Sequence, residues 1–359
     1  MPSRARIELR NRLLERQRQI AKSRPNQFAA GQVVKHLARS QRPGVPVKSA
    51  AVFYDKRNSR FGNALANAFE KRGISTQARG LLGNEASSPA HLRDLKNAAR
   101  AEAVVMVAKD NNGAFAKTAH TVGKVAESRA GMRKGTRLAM MWGITPSAVR
   151  EVLAVDSTVS RKMRVFTKKT LQAVKGCRKV QVTARNGTSI TFELSPRIRW
   201  VQDNGVITRS YWGNMPAGEV FTSPLTANGK VVIDGSVERL GKVGKNPITV
   251  EIRNGRAVFE SVKCKNEAVR RKFIRLLQTD RNSSRIGELG LGTNFAVKQL
   301  TGRILVDEKI PGVHIAFGDP YRHDTGARWE SKGHYDGIMQ KPTIIVDGRP
   351  IMLDGKSLL

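Results

Sequence analysis

The chain has 359 residues, of which 40% are hydrophobic, and its 64 Lys and Arg against 29 Asp and Glu give a formal net charge of +35. That apolar fraction excludes a disordered polycation. No apolar run reaches the ~18 residues of a membrane-spanning helix, and two cysteines, Cys177 and Cys264, make no disulfide framework. The first twenty residues contain no apolar run suited to a secretory signal, so the expectation is a cytoplasmic protein of roughly two domains.

The spacing of apolar residues predicts a basic helical arm over 1–24, where Ile7, Leu9, Leu13, Leu14 and Ile20 alternate with arginines, and a second helix over 27–39 stopped by Arg42-Pro43-Gly44. Strand and helix then alternate. Strands are expected at 50–54, 75–78, 103–107 and 137–142. Helices are expected at 60–71, at 88–100 with Ser88 as cap and Pro89 in the first turn, and at 114–128. This alternation predicts a parallel sheet with helices on both faces. No glycine fingerprint follows the first strand, whose continuation is Asp55-Lys56-Arg57-Asn58, so that region reads as scaffold rather than a dinucleotide site. Beyond about residue 177 the pattern changes to short strands. Two flank Asn186-Gly187, two more (248–253 and 256–261) flank Asn254-Gly255, and one helix is expected over 266–278. The expected organisation is therefore a basic arm (1–45), an N-terminal α/β domain with a parallel sheet (46–190), and a C-terminal α+β metal-binding catalytic domain rich in antiparallel strands (191–359).

Charge is unevenly placed. The first 200 residues hold 40 basic and 12 acidic side chains, whereas the last 59 hold 8 of each. The basic excess fits either an anionic partner such as nucleic acid or charge spread over solvated faces. Aromatics are only 6% of the chain, which is poor material for a base-stacking platform. Acid gathered late in a basic chain is suited to holding a metal, because divalent cations take oxygen ligands.

His334-Tyr335-Asp336 is the sharpest local feature. Residues i and i+2 of an extended segment face the same side, so this imidazole and carboxylate can share a metal. His314 lies within an apolar strand, Gly312-Val313-His314-Ile315-Ala316-Phe317, where a histidine is more often a satisfied core residue than a ligand. Glu288 in Ile286-Gly287-Glu288-Leu289-Gly290 and Glu219 in Gly218-Glu219-Val220-Phe221 stand between small and apolar residues. Burying such carboxylates alone is costly, and a cation or an arginine would offset that cost.

These segments taken in order resemble the aminopeptidase T-type leucyl aminopeptidases. The resemblance is carried by Asn214–Thr222, Ile286–Asn294, Asp307–Gly318 and His334–Met339, and it extends over nearly the whole chain. It implies a two-metal site for Zn, Co or Mn with Glu219, Glu288, Glu308, His314, His334 and Asp336 as ligands. It also implies Tyr321 and Glu288 as catalytic residues, peptide substrates and a homodimer. In that reading two cations activate a water, Tyr321 donates to the oxyanion and Glu288 shuttles the proton to the leaving amine. His323 and Asp324 are read as solvated loop residues. Two alternatives stand beside it. The fold family also resembles ring-cleaving dioxygenases of dihydroxypyridines, which hold one Fe(II), although Glu at position 288 favours the peptidase. A basic, non-hydrolytic protein that keeps the fold and binds nucleic acid is the other.

Overall fold

In the computed structural model, residues 4–38, 47–81, 89–108, 125, 136–145, 148–153, 157–207 and 213–359 are described. The expected helix over 114–128 lies outside them but for Val125, and the stop at 42–44 lies outside them altogether. The chain divides into two units, Met1–Arg161 with Gly205–Ala217, and Lys162–Asn204 with Gly218–Leu359. Among the described residues no helix is long and apolar enough to cross a membrane.

The first unit opens with α1 (Arg4–Ser23) and α2 (Pro25–Ala38). Pro25 suits the first turn of α2, where an amide hydrogen would have no helical partner. Ala29, Ala30, Val33, Val34 and Leu37 of α2 are buried at helical spacing. The guanidinium of buried Arg137 donates to the Leu37 carbonyl at 2.6 Å, at the end of α2 where carbonyls lack helical donors. Next come β1 (Ser49–Tyr54), α3 (Ser59–Glu70), β2 (Ser75–Gly80), α4 (Pro89–Ala98), β3 (Ala103–Ala108) and β4 (Arg137–Trp142). After three strands of the second unit, the chain adds β8 (Gly213–Asn214) to the same sheet. The order is β2-β1-β3-β4-β8 and every pairing is parallel. All six residues of β3 are buried, as its unbroken apolar run implies. The expected parallel sheet is thus borne out.

The second unit takes in most of α5 (Ser157–Val174), for which the sequence pattern gave no helix. Two of its buried positions are threonines, and β-branched residues weaken the helical signal. In the structure the hydroxyls of Thr167 and Thr170 donate to the carbonyls of Met163 (2.9 Å) and Phe166 (3.0 Å), which lets a half-polar face be buried.

After α5 come β5 (Lys179–Thr183), β6 (Ser189–Glu193), β7 (Val201–Asp203), β9 (Glu219–Thr222), β10 (Thr226–Ile233), β11 (Ser236–Val237) and β12 (Gly241–Lys242). These are followed by β13 (Ile248–Arg253), β14 (Arg256–Ala257), α6 (Glu267–Leu277), β15 (Ile286–Gly292), α7 (Ile304–Asp307), β16 (Gly312–Gly318), α8 (Arg322–Thr325) and β17 (His334–Met339). The chain ends with β18 (Thr343–Val346), β19 (Arg349–Leu353) and β20 (Lys356–Ser357). Two antiparallel sheets result, β14-β13-β10-β6-β5-β18-β19-β20 and β12-β11-β17-β16-β15-β9-β7. Both expected Asn-Gly turns form, and Asn254 and Gly255 both adopt positive φ (50° and 74°), as a tight hairpin turn requires. The strand expected over 256–261 is corrected: β14 ends at Ala257 and Phe259–Ser261 form a 3-10 turn. There the Ser261 hydroxyl donates to the Val258 carbonyl (2.6 Å) and accepts from the Glu251 amide (2.8 Å), closing the chain on itself.

One apolar core joins the two sheets. Val180, Val182, Ile190, Phe192 and Val231 come from one, and Leu289, Leu291, Val313, Ile315 and Phe317 from the other. Helix α6, capped by Asn266 accepting from the Val269 amide, adds Phe273, whose ring meets Phe317 edge-on at 5.8 Å. Phe317 lies on β16, the strand that carries His314. Replacing Phe273 by Ala is expected to cost about 3–5 kcal/mol of stability, to be read from chemical denaturation of the intact chain.

Candidate metal centre

The seven-stranded sheet has two unlike faces because side chains alternate along each strand. On β15, Leu289 and Leu291 enter the core while Glu288, Gly290 and Gly292 face the other way. On β16, Val313, Ile315 and Phe317 enter the core, and His314 and Ala316 face away. Strand β17 repeats the pattern with Tyr335 and Met339 inward and His334 and Asp336 outward. The register lines these outward residues up. Glu219 pairs with Gly292, Gly290 with His314, Ala316 with both Glu288 and Asp336, and Gly318 with His334. Small residues thus stand beside each polar one. Gly290 is required for space, since a Cβ there would collide with the His314 ring.

Glu308 arrives from the turn after α7 and not from a strand. That turn is fixed by buried Asp307, whose carboxylate accepts from the Ser236 hydroxyl (2.5 Å), the Thr301 amide and hydroxyl (2.6 Å each) and the Gly302 amide (2.8 Å). The structure brings all six expected ligands together in three overlapping groups: Glu219–Glu288–His314, Glu288–His334–Asp336 and Glu308–His314–Asp336. Within each group, one candidate ligand atom per residue lies within 4.8 Å of the others. His314 Nε2 is 2.9 Å from Glu288 Oε1 and 3.5 Å from Glu219 Oε2. His334 Nε2 is 3.6 Å from Glu288 Oε2 and 3.5 Å from Asp336 Oδ1.

The residues fit a cation. His334 Nδ1 lies 2.8 Å from the Asp319 carbonyl, which can only accept, so Nδ1 carries a hydrogen. In the neutral ring the Nε2 lone pair then points toward Glu288 and Asp336, as it does in metal-binding imidazoles whose other nitrogen donates to a carbonyl. Asp336 Oδ1 and His314 Nδ1 are buried with no hydrogen-bond partner among the described residues. Without a metal, protons take up part of the charge. Burial opposes a charge on His314, yet its hydrogen bond to Glu288 and the nearby carboxylates push it up to about 9. His334 is likewise raised against its burial, chiefly by Asp336. Burial raises Glu288, and burial with Glu219 and Asp336 nearby pushes Glu308 up to about 8 in spite of Lys309. The donor set is oxygen and nitrogen without thiolate, which fits a divalent cation.

Tyr321 is half-buried beside this cluster, its ring 4.4 Å from that of His334 and 5.9 Å from that of Phe221. Burial and the surrounding carboxylates hold its phenol well above the usual range. His323 is exposed as expected, but it and Asp324 both lie in α8 and not in a loop, and Asp324 is partly buried, which raises its carboxyl. Their carbonyls accept from Arg199 at 2.8 and 2.7 Å.

Four contributors were not visible in the sequence. Lys309, fully buried, places its ammonium 2.5 Å from Glu219 Oε1, 2.6 Å from Glu308 Oε1 and 4.0 Å from Asp203 Oδ2. Asp203 joins from β7, next to Glu219 in register. Asp319 orients His334. The Glu238 amide donates to the Asp336 carbonyl at 2.9 Å, and the Glu238 carboxyl is pushed up to about 7 by burial and by Asp336. The one available signal was the setting of Lys309, with Val306 and Ile310 around it and an apolar strand just beyond.

Two outcomes are expected. Gly290→Ala should lower metal affinity by on the order of tenfold or more while the chain remains folded, as read by calorimetric titration with Zn and by circular dichroism. His314 must give up its proton to bind a metal, so metal affinity should fall as pH drops below about 9. Titration in two buffers of different ionisation enthalpy should show proton release on binding.

Comparison with known proteins points to a metal-dependent family. Residues 155–336, half of the chain, match the family described as thermophilic metalloprotease (M29), and all seven expected site residues lie within that span. A search of curated protein sequences finds no match. Among solved structures, wild-type AmpT from Thermus thermophilus is similar, with a TM-score of 0.69 and 16% identity over 94% of this chain and 100% of that one. The 2,5-dihydroxypyridine dioxygenase of Pseudomonas putida is similar too, with a TM-score of 0.66 and 16% identity over 94% of this chain and 97% of that one. At this identity both show a common fold. The family match adds what the fold alone leaves open, and the chain belongs to the M29 family of thermophilic metalloproteases.

Proposed function

We propose that the chain is a metal-dependent aminopeptidase that releases N-terminal residues from peptides. The observation that carries this reading is the double use of Glu288. Its Oε1 faces His314 and the Glu219 group, and its Oε2 faces His334 and the Asp336 group. Were two cations bound, as in two-metal hydrolases, both would lie within reach of this one carboxylate. Two divalent ions (Zn, Co or Mn) would supply an activated water and would polarise the scissile carbonyl. Preference for a free amino terminus is drawn from the resemblance to the aminopeptidase T type.

The chain's own residues then have separate roles. Glu219, Glu288, His314, His334 and Asp336 would hold the cations, with Glu308 offering a further oxygen on the His314 side. Glu288, beside both histidines, is the carboxylate that would pass a proton to the leaving amine. Tyr321 keeps its phenolic proton across the neutral range and can donate a hydrogen bond to an oxyanion as charge develops there. Its packing against His334 holds it at the edge of the cation positions.

Hydrolysis of a panel of aminoacyl-anilides with Zn, Co or Mn tests the reading. Glu288→Gln should reduce kcat by about 10²–10⁴-fold and Tyr321→Phe by about 10²–10³-fold. Equal activity of both variants and wild type would mean that the site is elsewhere. Oxygen consumption on a dihydroxypyridine with one iron per chain would replace the peptidase by the dioxygenase alternative.

A further inference from the structure

Lys309 has no exposed surface, although lysine is among the residues least often buried. Taking an ammonium out of water is costly unless close anions and hydrogen bonds compensate. Here two carboxylates touch it, and a third lies at 4.0 Å. Its backbone is equally fixed. The Lys309 amide donates to the Val306 carbonyl at 3.2 Å, and its carbonyl accepts from the Asn294 amide at 2.8 Å. The preceding residue but one, Asp307, ties the same turn to Thr301, Gly302 and Ser236. The ammonium therefore has a set position.

That position determines how the carboxylates are used. Glu219 gives Oε1 to Lys309 and turns Oε2 toward His314 Nε2, 3.5 Å away. Glu308 likewise gives Oε1 to Lys309 while belonging to the group with His314 and Asp336. Lys309 is bound to the Glu219 and Glu308 end of the cluster, and the His334 and Asp336 end has no lysine or arginine within salt-bridge distance among the described residues. We propose that Lys309 is a resident counter-ion, a positioning residue that holds Glu219 and Glu308 together in the metal-free protein with one oxygen of Glu219 already turned to the cation side. The site would then be assembled before metal arrives rather than by it. This inference rests on the metal-site reading but not on peptidase activity, so it can be tested without turnover.

The test is calorimetric unfolding of wild type and Lys309→Met, each metal-free and each saturated with Zn or Mn. Removing the ammonium leaves buried carboxylates facing one another, and the metal-free Tm should fall by on the order of 10 °C. Bound metal supplies the missing positive charge, so the loaded Tm should fall much less and the metal-induced rise should exceed that of wild type. A lysine that only fills space would lower both forms equally, and that result would overturn the proposal. The double variant Lys309→Met with Glu308→Gln removes one of the carboxylates left unpaired and should regain most of the metal-free stability. A double variant no more stable than Lys309→Met, or one that does not fold where the single variant also fails, would likewise overturn it. A wild-type Tm that responds to no divalent cation would overturn the metal-site reading itself, and the inference with it.

Discussion

Carboxylates can be buried side by side only where positive charge or protons stand between them. Glu219, Glu288, Glu308 and Asp336 are all buried within one cluster, with Asp203 beside them. Everything around them answers to that constraint. Two imidazoles and one ammonium are interleaved with the acids, and small residues keep the space between strands open. The same alternation that lines one face of the sheet with acids lines the other with Leu289, Leu291, Val313, Ile315 and Phe317. Hydrophobic packing on one side thus positions a charge cluster that could not hold itself together on the other. The cluster needs positive charge, and the core fixes where its side chains stand.

This explains how much of the centre could be read from the sequence. Glu288, His314, His334 and Asp336 stood out because each lies in a strand whose flanking residues are apolar or glycine, and alternation tells which way such a residue points. The family resemblance added Glu308 and Tyr321, which lie on turns where no periodicity applies. Lys309 and Asp203 stayed hidden for a physical reason. A lysine beside Asp307 and Glu308 reads as a solvated charge run, and only tertiary contacts show that all three are buried. Asp203 reaches the cluster through pairing between β7 and β9, across sixteen residues of chain.

The fold was legible where a single face is buried and less so where it is shared. The parallel strands and the Asn-Gly hairpins followed from apolar runs and turn chemistry. Helix α5 did not, because it buries threonines whose hydroxyls are satisfied within the helix. The segment after β14 departed from its strand-like composition because the Ser261 hydroxyl found partners close by. In both places a local hydrogen bond outweighed side-chain pattern.

Asp319 holds two parts of the centre in step. Its carboxylate accepts from the amide of Tyr321 (2.8 Å), a residue with left-handed backbone (φ 50°), and from the amide of Ser331 (3.2 Å). Its carbonyl meets His334 Nδ1, and its amide donates to the Gly333 carbonyl. The tyrosine and the histidine are thus registered to each other through one residue, without the chain between them. Arg199 grips the intervening segment by the carbonyls of residues 323, 324 and 325, which every amino acid possesses. One side chain adds to these ties, the buried Thr325, whose hydroxyl lies within hydrogen-bond distance of the Pro320 and Tyr321 carbonyls. The spacing of the phenol and the imidazole therefore does not depend on the exposed side chains of His323 and Arg328, which point away from these ties.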